Sequence, residues 1–384
     1  MPAEELYQRR EQTLVKHRIL SDYLERFAHI VGSRWSSITY VDGFAGPWNV
    51  RSPDFQDSSF AIALDELRKA RATYEGQRHI NLRCLFIEQD LAAYKKLCDY
   101  ARCIEDAEIR VLNGSFEDSV PAILSFIRSD RSTFPFVFID PTGWTGFAMN
   151  RISSILRLSP GEVLINFMTG HIRRFLKEEN SYQSFAELFG SNEYREQIDE
   201  LSGQDLDDAL VSAYTEALKH EGSFQYVLPA IVLHPEKDRT HFHLIYATRH
   251  PKGVEVFKEI EKRAMAKMED LRASAQRRLS EERTGQPTLF ALQTPPPSRH
   301  YEELRGRYLD QAKNRVAARL RSGRVRYDDV WILALNSPLV WESDLKEWIS
   351  EWRSEGKLDI HGLRPRARVP RLNSSHELVW LGES

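Results

Sequence analysis

Between Ser37 and Met168 short apolar runs alternate with longer stretches of helical spacing, and no other feature limits the fold of this chain as strongly. The apolar runs are Ile38 to Asp42, Leu82 to Glu88, Ile109 to Leu112, Phe136 to Asp140 and Gly161 to Met168, and helical patterns fill 58–73, 91–103, 116–129 and 147–157 between them. Runs that are continuously apolar are strands buried on both faces, so they belong to a parallel sheet covered by helices and joined by right-handed crossovers. The expectation is a doubly wound, Rossmann-like α/β domain.

Elements on either side extend that domain. Leu14, Val15, Ile19, Leu20, Tyr23, Leu24 and Phe27 recur at helical spacing, which predicts an amphipathic helix over 5–30 that needs a surface to lie on. A polar helical region over 183–220 is followed by two strands, Phe224 to His234 and His241 to Thr248, separated by PEKDRT and read as an antiparallel hairpin closing the sheet. A helix with Val254, Phe257, Ile260, Ala264 and Met268 on one face then runs to about Arg283. Pro287 and the triplet Pro295 to Pro297 stop it. The chain therefore divides into an N-terminal helix at 1–36, a Rossmann-like domain at 37–283, a Pro-rich linker at 284–298 and a small unit at 299–384.

That last unit opens with a basic helical stretch, 299–326, in which nine Lys or Arg stand against three Asp or Glu. An apolar helix, Val330 to Leu335, precedes a second one capped at Ser343, with Leu345, Trp348, Ile349 and Trp352 as its stripe and Gly356 at its end. Two strands, Leu358 to Ile360 and Glu377 to Leu381, flank the turn RPRARVPR. Helices followed by a two-stranded ribbon with a basic tip describe a winged-helix-like domain, whose Arg364, Arg366 and Arg368 would meet phosphates. A docking module with a solvated basic face fits the same pattern.

Composition narrows the classes. With 384 residues, 41% hydrophobic and 28% charged, the chain is a globular protein of roughly two to three domains rather than a disordered or fibrous one. Fifty-three basic against fifty-six acidic residues give a net charge of -3, so any basic surface is local. Apolar stretches such as Tyr226 to Leu233 are too short to span a membrane, and the opening MPAEELYQRR is charged, so a cytoplasmic protein without membrane contact is expected. Cys84, Cys98 and Cys103 contain no C-x-x-C pair and read as packing thiols, with neither disulfide nor zinc.

Chemistry in a doubly wound sheet sits outside the carboxyl ends of the strands, where strand order reverses. The first strand runs into Asp42, Gly43, Phe44, Ala45 and Gly46, where glycines let backbone approach a ligand. The second ends at Glu88, where nucleotide-binding folds hold ribose hydroxyls. Ser115 and Phe116 follow the third and can frame an adenine, although Ser115 also suits a helix cap. The fourth leads into Asp140, Pro141, Thr142, Gly143 and Trp144, a carboxylate and an aromatic suited to a planar, amine-bearing substrate.

These strand ends resemble the class I S-adenosylmethionine-dependent methyltransferases. More narrowly, KHRIL with Tyr23, YVDGFAGPW, FIEQD, FIDPTGW, VLINFM with HIRR, and HFHLIYATRHPKG resemble the three-Cys-motif partner protein family over residues 16–253. The resemblance implies S-adenosylmethionine as cofactor and a three-Cys-motif protein as partner, while the basic tail and the D-P-x-x-W loop point to nucleic acid as the acceptor. By position it implies that Asp42, Gly43, Phe44 and Gly46 line the methionine part, Glu88 the ribose, and Ser115 and Phe116 the adenine. Asp140, Pro141 and Trp144 face the acceptor: Asp140 and the Pro141 carbonyl accept from an exocyclic amine while Trp144 stacks on the base. Two departures stand out, D-P-T-G-W in place of D-P-P-Y or D-P-P-F, and Ser115 where many methyltransferases have Asp.

Outside these motifs, Arg173 and Arg174, with His171, follow the fifth strand and either meet a phosphate backbone or are solvated helix charges. His241 and His243 share a strand face without a third metal ligand. Besides the methyltransferase, two functions remain: a non-catalytic nucleotide- or nucleic-acid-binding partner, and a nicotinamide oxidoreductase, disfavoured because D-G-F-A-G lacks G-x-G-x-x-G spacing.

Overall fold

The computed structural model describes residues 2–46, 50–284, 298–363 and 369–382. Most of the Pro-rich segment, and Arg364, Arg366 and Arg368, lie outside the described residues. Helix α1 (Glu11–Gly32) precedes the alternation β1 (Ser37–Asp42), α2 (Ser59–Thr73), β2 (Asn81–Glu88), α3 (Leu91–Arg102), β3 (Glu108–Asn113), α4 (Val120–Arg128), β4 (Thr133–Ile139), α5 (Met149–Leu156) and β5 (Glu162–Phe167). Helices α6 (Thr169–Phe175), α7 (Tyr182–Phe189), α8 (Tyr194–Ile198) and α9 (Gly203–Gly222) lead to the hairpin β6 (Tyr226–Leu233) and β7 (Thr240–Thr248), and then to the long α10 (Pro251–Thr284).

The sheet has the order β3-β2-β1-β4-β5-β7-β6, parallel except for β7, which is antiparallel to both neighbours. Strand order reverses between β1 and β4, so the loops after those two strands flank the crevice a doubly wound sheet offers to ligands. Side chains alternate as a pleat requires. Tyr40, Phe86, Phe136 and Phe138 belong to the apolar cluster with α1, α2 and α10, whereas Val41, Leu85, Ile87, Val137 and Ile139 belong to the cluster with α4, α5, α7 and α9. The doubly wound, Rossmann-like α/β expectation is met, with β7 rather than β6 against β5.

Helix α1 starts later than its apolar spacing predicts. A short 3-10 turn at Glu4–Tyr7 ends at Arg9, whose φ of 62° cannot continue a helix, and α1 begins at Glu11. A buried polar network then fixes α1 to the sheet: the Tyr23 hydroxyl donates to Glu162 Oε2 at 2.6 Å and Thr248 Oγ1 donates to Oε1 at 2.8 Å, with Tyr246 joining Tyr23. Burial raises the Glu162 carboxyl above its ordinary value, opposed by the hydroxyls of Tyr23, Thr248 and Tyr246. Of the three cysteines only Cys84 is buried, and none forms a disulfide.

The remaining chain forms α11 (Arg299–Arg321), β8 (Val325–Arg326), α12 (Tyr327–Leu335), α13 (Glu342–Ser354), β9 (Leu358–His361) and β10 (Glu377–Trp380), with an antiparallel sheet in the order β8-β10-β9. The cap of α13 is not at Ser343: the Asp344 carboxylate reaches back to the Trp341 N–H at 2.8 Å, one turn before its own position. This unit shares its core with the first domain. On α10, Lys258 and Glu261 form a buried pair at 2.5 Å, Lys258 donates to the Ser337 carbonyl at 2.9 Å, and Glu261 accepts the Leu339 N–H at 3.0 Å.

Most of the nine cations of 299–326 are exposed, and six of them pair with acids. Arg305 pairs with Asp344, Arg307 with Asp205 and Asp208, Lys313 with Glu351, Arg324 with Glu377 and Arg326 with Asp328. Arg299 pairs with Glu303, and Arg315 bonds the Ser337 hydroxyl. The stretch therefore ties elements together through these pairs, while Arg319 and Arg321 remain exposed on its surface.

Candidate active site at the strand ends

Asp42 closes β1 and governs the loop that follows. It is wholly buried, its Oδ1 accepts the Phe44 N–H at 3.2 Å, and its Oδ2 accepts hydroxyls from Ser59 at 2.6 Å and Tyr40 at 3.1 Å. Burial, with Asp140 nearby, pushes its carboxyl up to about 6 against the opposing pull of those donors. Gly43 N–H donates to Phe138 and Ala45 N–H to Ile87, both at 2.9 Å, which stitches the loop across β4 and β2. A Cβ at Gly43 would stand 2.7 Å from the Phe116 ring, so only glycine lets that ring close over the loop.

The loop forms one wall of a cavity of about 570 Å³ lined by Gly43, Phe44, Glu88, Ser115, Phe116 and Asp140, among others. Its size lies in the range of small-molecule and cofactor sites, about 300–1,000 Å³. Glu88 ends β2 largely buried, accepting the Asp90 N–H at 2.6 Å through Oε1. Ser115 does not cap α4, which starts only at Val120; it closes a turn with Asp118, accepting its N–H at 3.1 Å. Asp42 lies beneath this cavity rather than on its surface, and acts on it through the Phe44 backbone.

Phe44, Asp140, Pro141 and Thr142 also border a second cavity of about 360 Å³, completed by residues including Lys16, His17, Gly46, Asn166 and His241. Gly46 thus falls in this half rather than beside Glu88. Asp140 is fixed from two sides: Lys16 Nζ pairs with Oδ2 at 2.5 Å and Asn166 Nδ2 donates to Oδ1 at 2.7 Å. The Lys16 and Asp140 side chains are only 13% and 16% exposed. Asn166 is 3% exposed, and its own Oδ1 is a buried acceptor without a partner. Such an atom is costly unless something donates to it.

Trp144 takes another direction. Its Nε1 donates to Ser184 at 3.0 Å, and its ring packs on Phe175 and Phe185 at centroid distances of 4.8 and 5.2 Å, so it braces α6 and α7 and lines neither cavity. Arg173 is likewise engaged, with Asp207 at 2.9 Å, whereas Arg174 is exposed. His243 is buried beside Thr169 at 3.2 Å and burial lowers it to about 4. Its neighbour on the same face, His241, lines the second cavity.

Lys16 and Asn166 are the site residues that strand-end reasoning passed over. Lys16 rides on α1, 124 positions from its carboxylate, and Asn166 lies inside β5, whose residues are all buried. A polar residue in a fully buried strand was the available signal for Asn166. For Lys16 the signal was KHRIL, quoted for its resemblance but without a role.

No protein-family model matches the chain, and no curated protein is similar enough to match. Solved structures that resemble it include a Legionella pneumophila str. Philadelphia 1 protein described by the family model DUF519, at 10% identity and a TM-score of 0.37, over 64% of this chain and 87% of that one. A loganic acid methyltransferase with SAH is similar at 8% identity and a TM-score of 0.31, over 71% and 88%. A mycolic acid cyclopropane synthase, CmaA1, complexed with SAH and CTAB is similar at 11% identity and a TM-score of 0.26, over 68% and 76%.

Proposed function

We propose that the chain is an S-adenosylmethionine-dependent methyltransferase of the three-Cys-motif partner kind that methylates an amine on a nucleic-acid base. The observation that carries this reading is the unpartnered Asn166 Oδ1 beside Asp140, in a cavity joined to a cofactor-sized one at the switch point of the sheet. A buried acceptor next to a fixed carboxylate is a receptacle for N–H donors. The adjoining cavity fits the cofactor: Glu88 offers a carboxylate to ribose hydroxyls, Phe116 a face to adenine, and the Gly43–Phe44 backbone a close approach. Bound there, S-adenosylmethionine supplies an electrophilic methyl group on a sulfonium.

The chain's own part is alignment. Asn166 Oδ1 and the Pro141 carbonyl accept from the exocyclic amine and turn its lone pair toward the donor half, while Lys16 keeps Asp140 in place beside it. Positioning of this kind is worth about 7–11 kcal/mol of barrier. A base in a duplex would have to be flipped out to enter. The α11–β8–α12–α13–β9–β10 order supports a winged-helix-like tail.

A second reading, a non-catalytic binding partner that retains the fold, is favoured by one observation: the Lys16 ammonium already sits on Asp140, where an acceptor amine would otherwise donate. The experiment that separates them follows labelled methyl transfer to total cellular nucleic acid by wild type, Asp140→Ala and Asn166→Ala. Transfer by the wild type, lost in both variants with cofactor affinity retained, is the expected result. Unchanged turnover in the variants would overturn the assignment. Cofactor binding without transfer to any nucleic acid would place the non-catalytic reading first.

A further inference from the structure

His241, on the wall of the acceptor half, is the centre of a basic patch drawn from two elements. The His234 ring stands 5.3 Å from it, edge to face, and the His234 N–H donates to the Arg239 carbonyl at 2.9 Å, so the β6–β7 turn carries Arg239 to the same place. From the other side α6 abuts the strand: a Cβ on Gly170 would lie 2.9 Å from the His241 carbonyl, which brings His171 and Arg174 alongside.

Burial first, and then the neighbours His234, Arg239, His171 and Arg174, lower His241 to about 4. Arg239 Nε is buried without a hydrogen-bond partner. Two acids lie nearby and oppose part of its charge. Asp207, which also senses Arg239, is held by Arg173 at 2.9 Å, and Glu236 touches His234 through its backbone N–H at 3.1 Å. In the stretch 299–326, by contrast, six of the nine cations pair with acids, as described above.

We infer that His171, Arg174, His234, Arg239 and His241 form an anion subsite that seats a backbone phosphate of the single-stranded nucleic acid whose base enters the acceptor half; this rests on the methyltransferase reading above. Two guanidinium groups supply the charge and neutral imidazoles supply further donors, the combination with which proteins position a strand without reading its sequence. The site fixes the strand on the side of the acceptor half bounded by α6 and the β6–β7 turn.

The test measures binding of a short, labelled single-stranded oligonucleotide to the full chain across salt concentrations, for wild type and for an Arg174→Ala, Arg239→Ala double variant. Each phosphate contact contributes about 0.7 to the log–log salt slope of a single strand. The variant should therefore lose about 1.4 from the slope and bind about tenfold or more weakly at low salt. A calorimetric S-adenosylmethionine titration of both proteins accompanies it, with cofactor affinity expected to be unchanged. Cofactor binding together with an unaltered salt slope would overturn the subsite and leave the methyltransferase reading standing. Absence of cofactor binding in the wild type would instead remove the reading on which the subsite rests. Wild-type protein that binds inorganic phosphate but no oligonucleotide would overturn the strand assignment.

Discussion

Replacing Asp42 by Asn should stabilise the protein near neutral pH, because the native fold pays to keep that carboxylate ionised. Asp42 is wholly buried and its carboxyl is pushed from an ordinary 3.8 to about 6, chiefly by burial. At about 1.4 kcal/mol per pH decade that displacement corresponds to about 3 kcal/mol. The native state holds the proton more tightly than the unfolded chain between those two values. Stability from protonated Asp42 is thus fully present below 3.8 and is lost as pH rises through about 6. Asn has the same shape and keeps an oxygen for the Phe44 N–H, but its amide requires the Ser59 or Tyr40 hydroxyl to turn and accept. A net gain of about 1–3 kcal/mol at about pH 7.5, shrinking toward zero at about pH 4, is expected. Urea denaturation at the two pH values, followed by tryptophan fluorescence, measures it. An Asn variant less stable than wild type at the higher pH, or a difference that ignores pH, would refute the reasoning.

Gly43→Ala drives a Cβ to 2.7 Å from the Phe116 ring, so thermal denaturation should reveal a loss of about 1–3 kcal/mol, and calorimetry weaker cofactor binding as Phe116 shifts. Glu261→Ala leaves Lys258 buried without its counter-charge and removes the acceptor of Leu339 N–H, at a cost of about 3–5 kcal/mol. Because that pair joins α10 to the tail, limited proteolysis should release the tail from the variant and not from the wild type.

Much of the sheet was legible because β1, β2, β4 and β5 are mainly apolar over short runs, a pattern that suits strands covered on both faces. Element starts were less so. The turn at Ser115–Ser119 is held by Ser119 Oγ on the Ser115 carbonyl and by Ser115 with Asp118, local bonds that delay α4 while leaving the apolar spacing unchanged. Spacing also could not say where charges end up. The nine cations of 299–326 read as a basic face, yet acids from 205, 208, 328, 344, 351 and 377 meet most of those that pair, and such partners are set by tertiary packing. The same limit hid the Lys16–Asp140 pair and sent Trp144 to the wrong side of its loop: a strand end fixes where a residue sits, and its side chain follows whichever neighbours pack there.

Calorimetric titration decides whether the crevice between β1 and β4 holds S-adenosylmethionine with Glu88 on its ribose. The wild type should bind S-adenosylmethionine and S-adenosylhomocysteine and leave NADH unbound. Glu88→Ala, losing charge-assisted hydrogen bonds worth about 1.5–3 kcal/mol, should weaken both by about 10- to 150-fold. Binding of neither compound by the wild type, or equal affinity in the Glu88→Ala variant, would contradict the account.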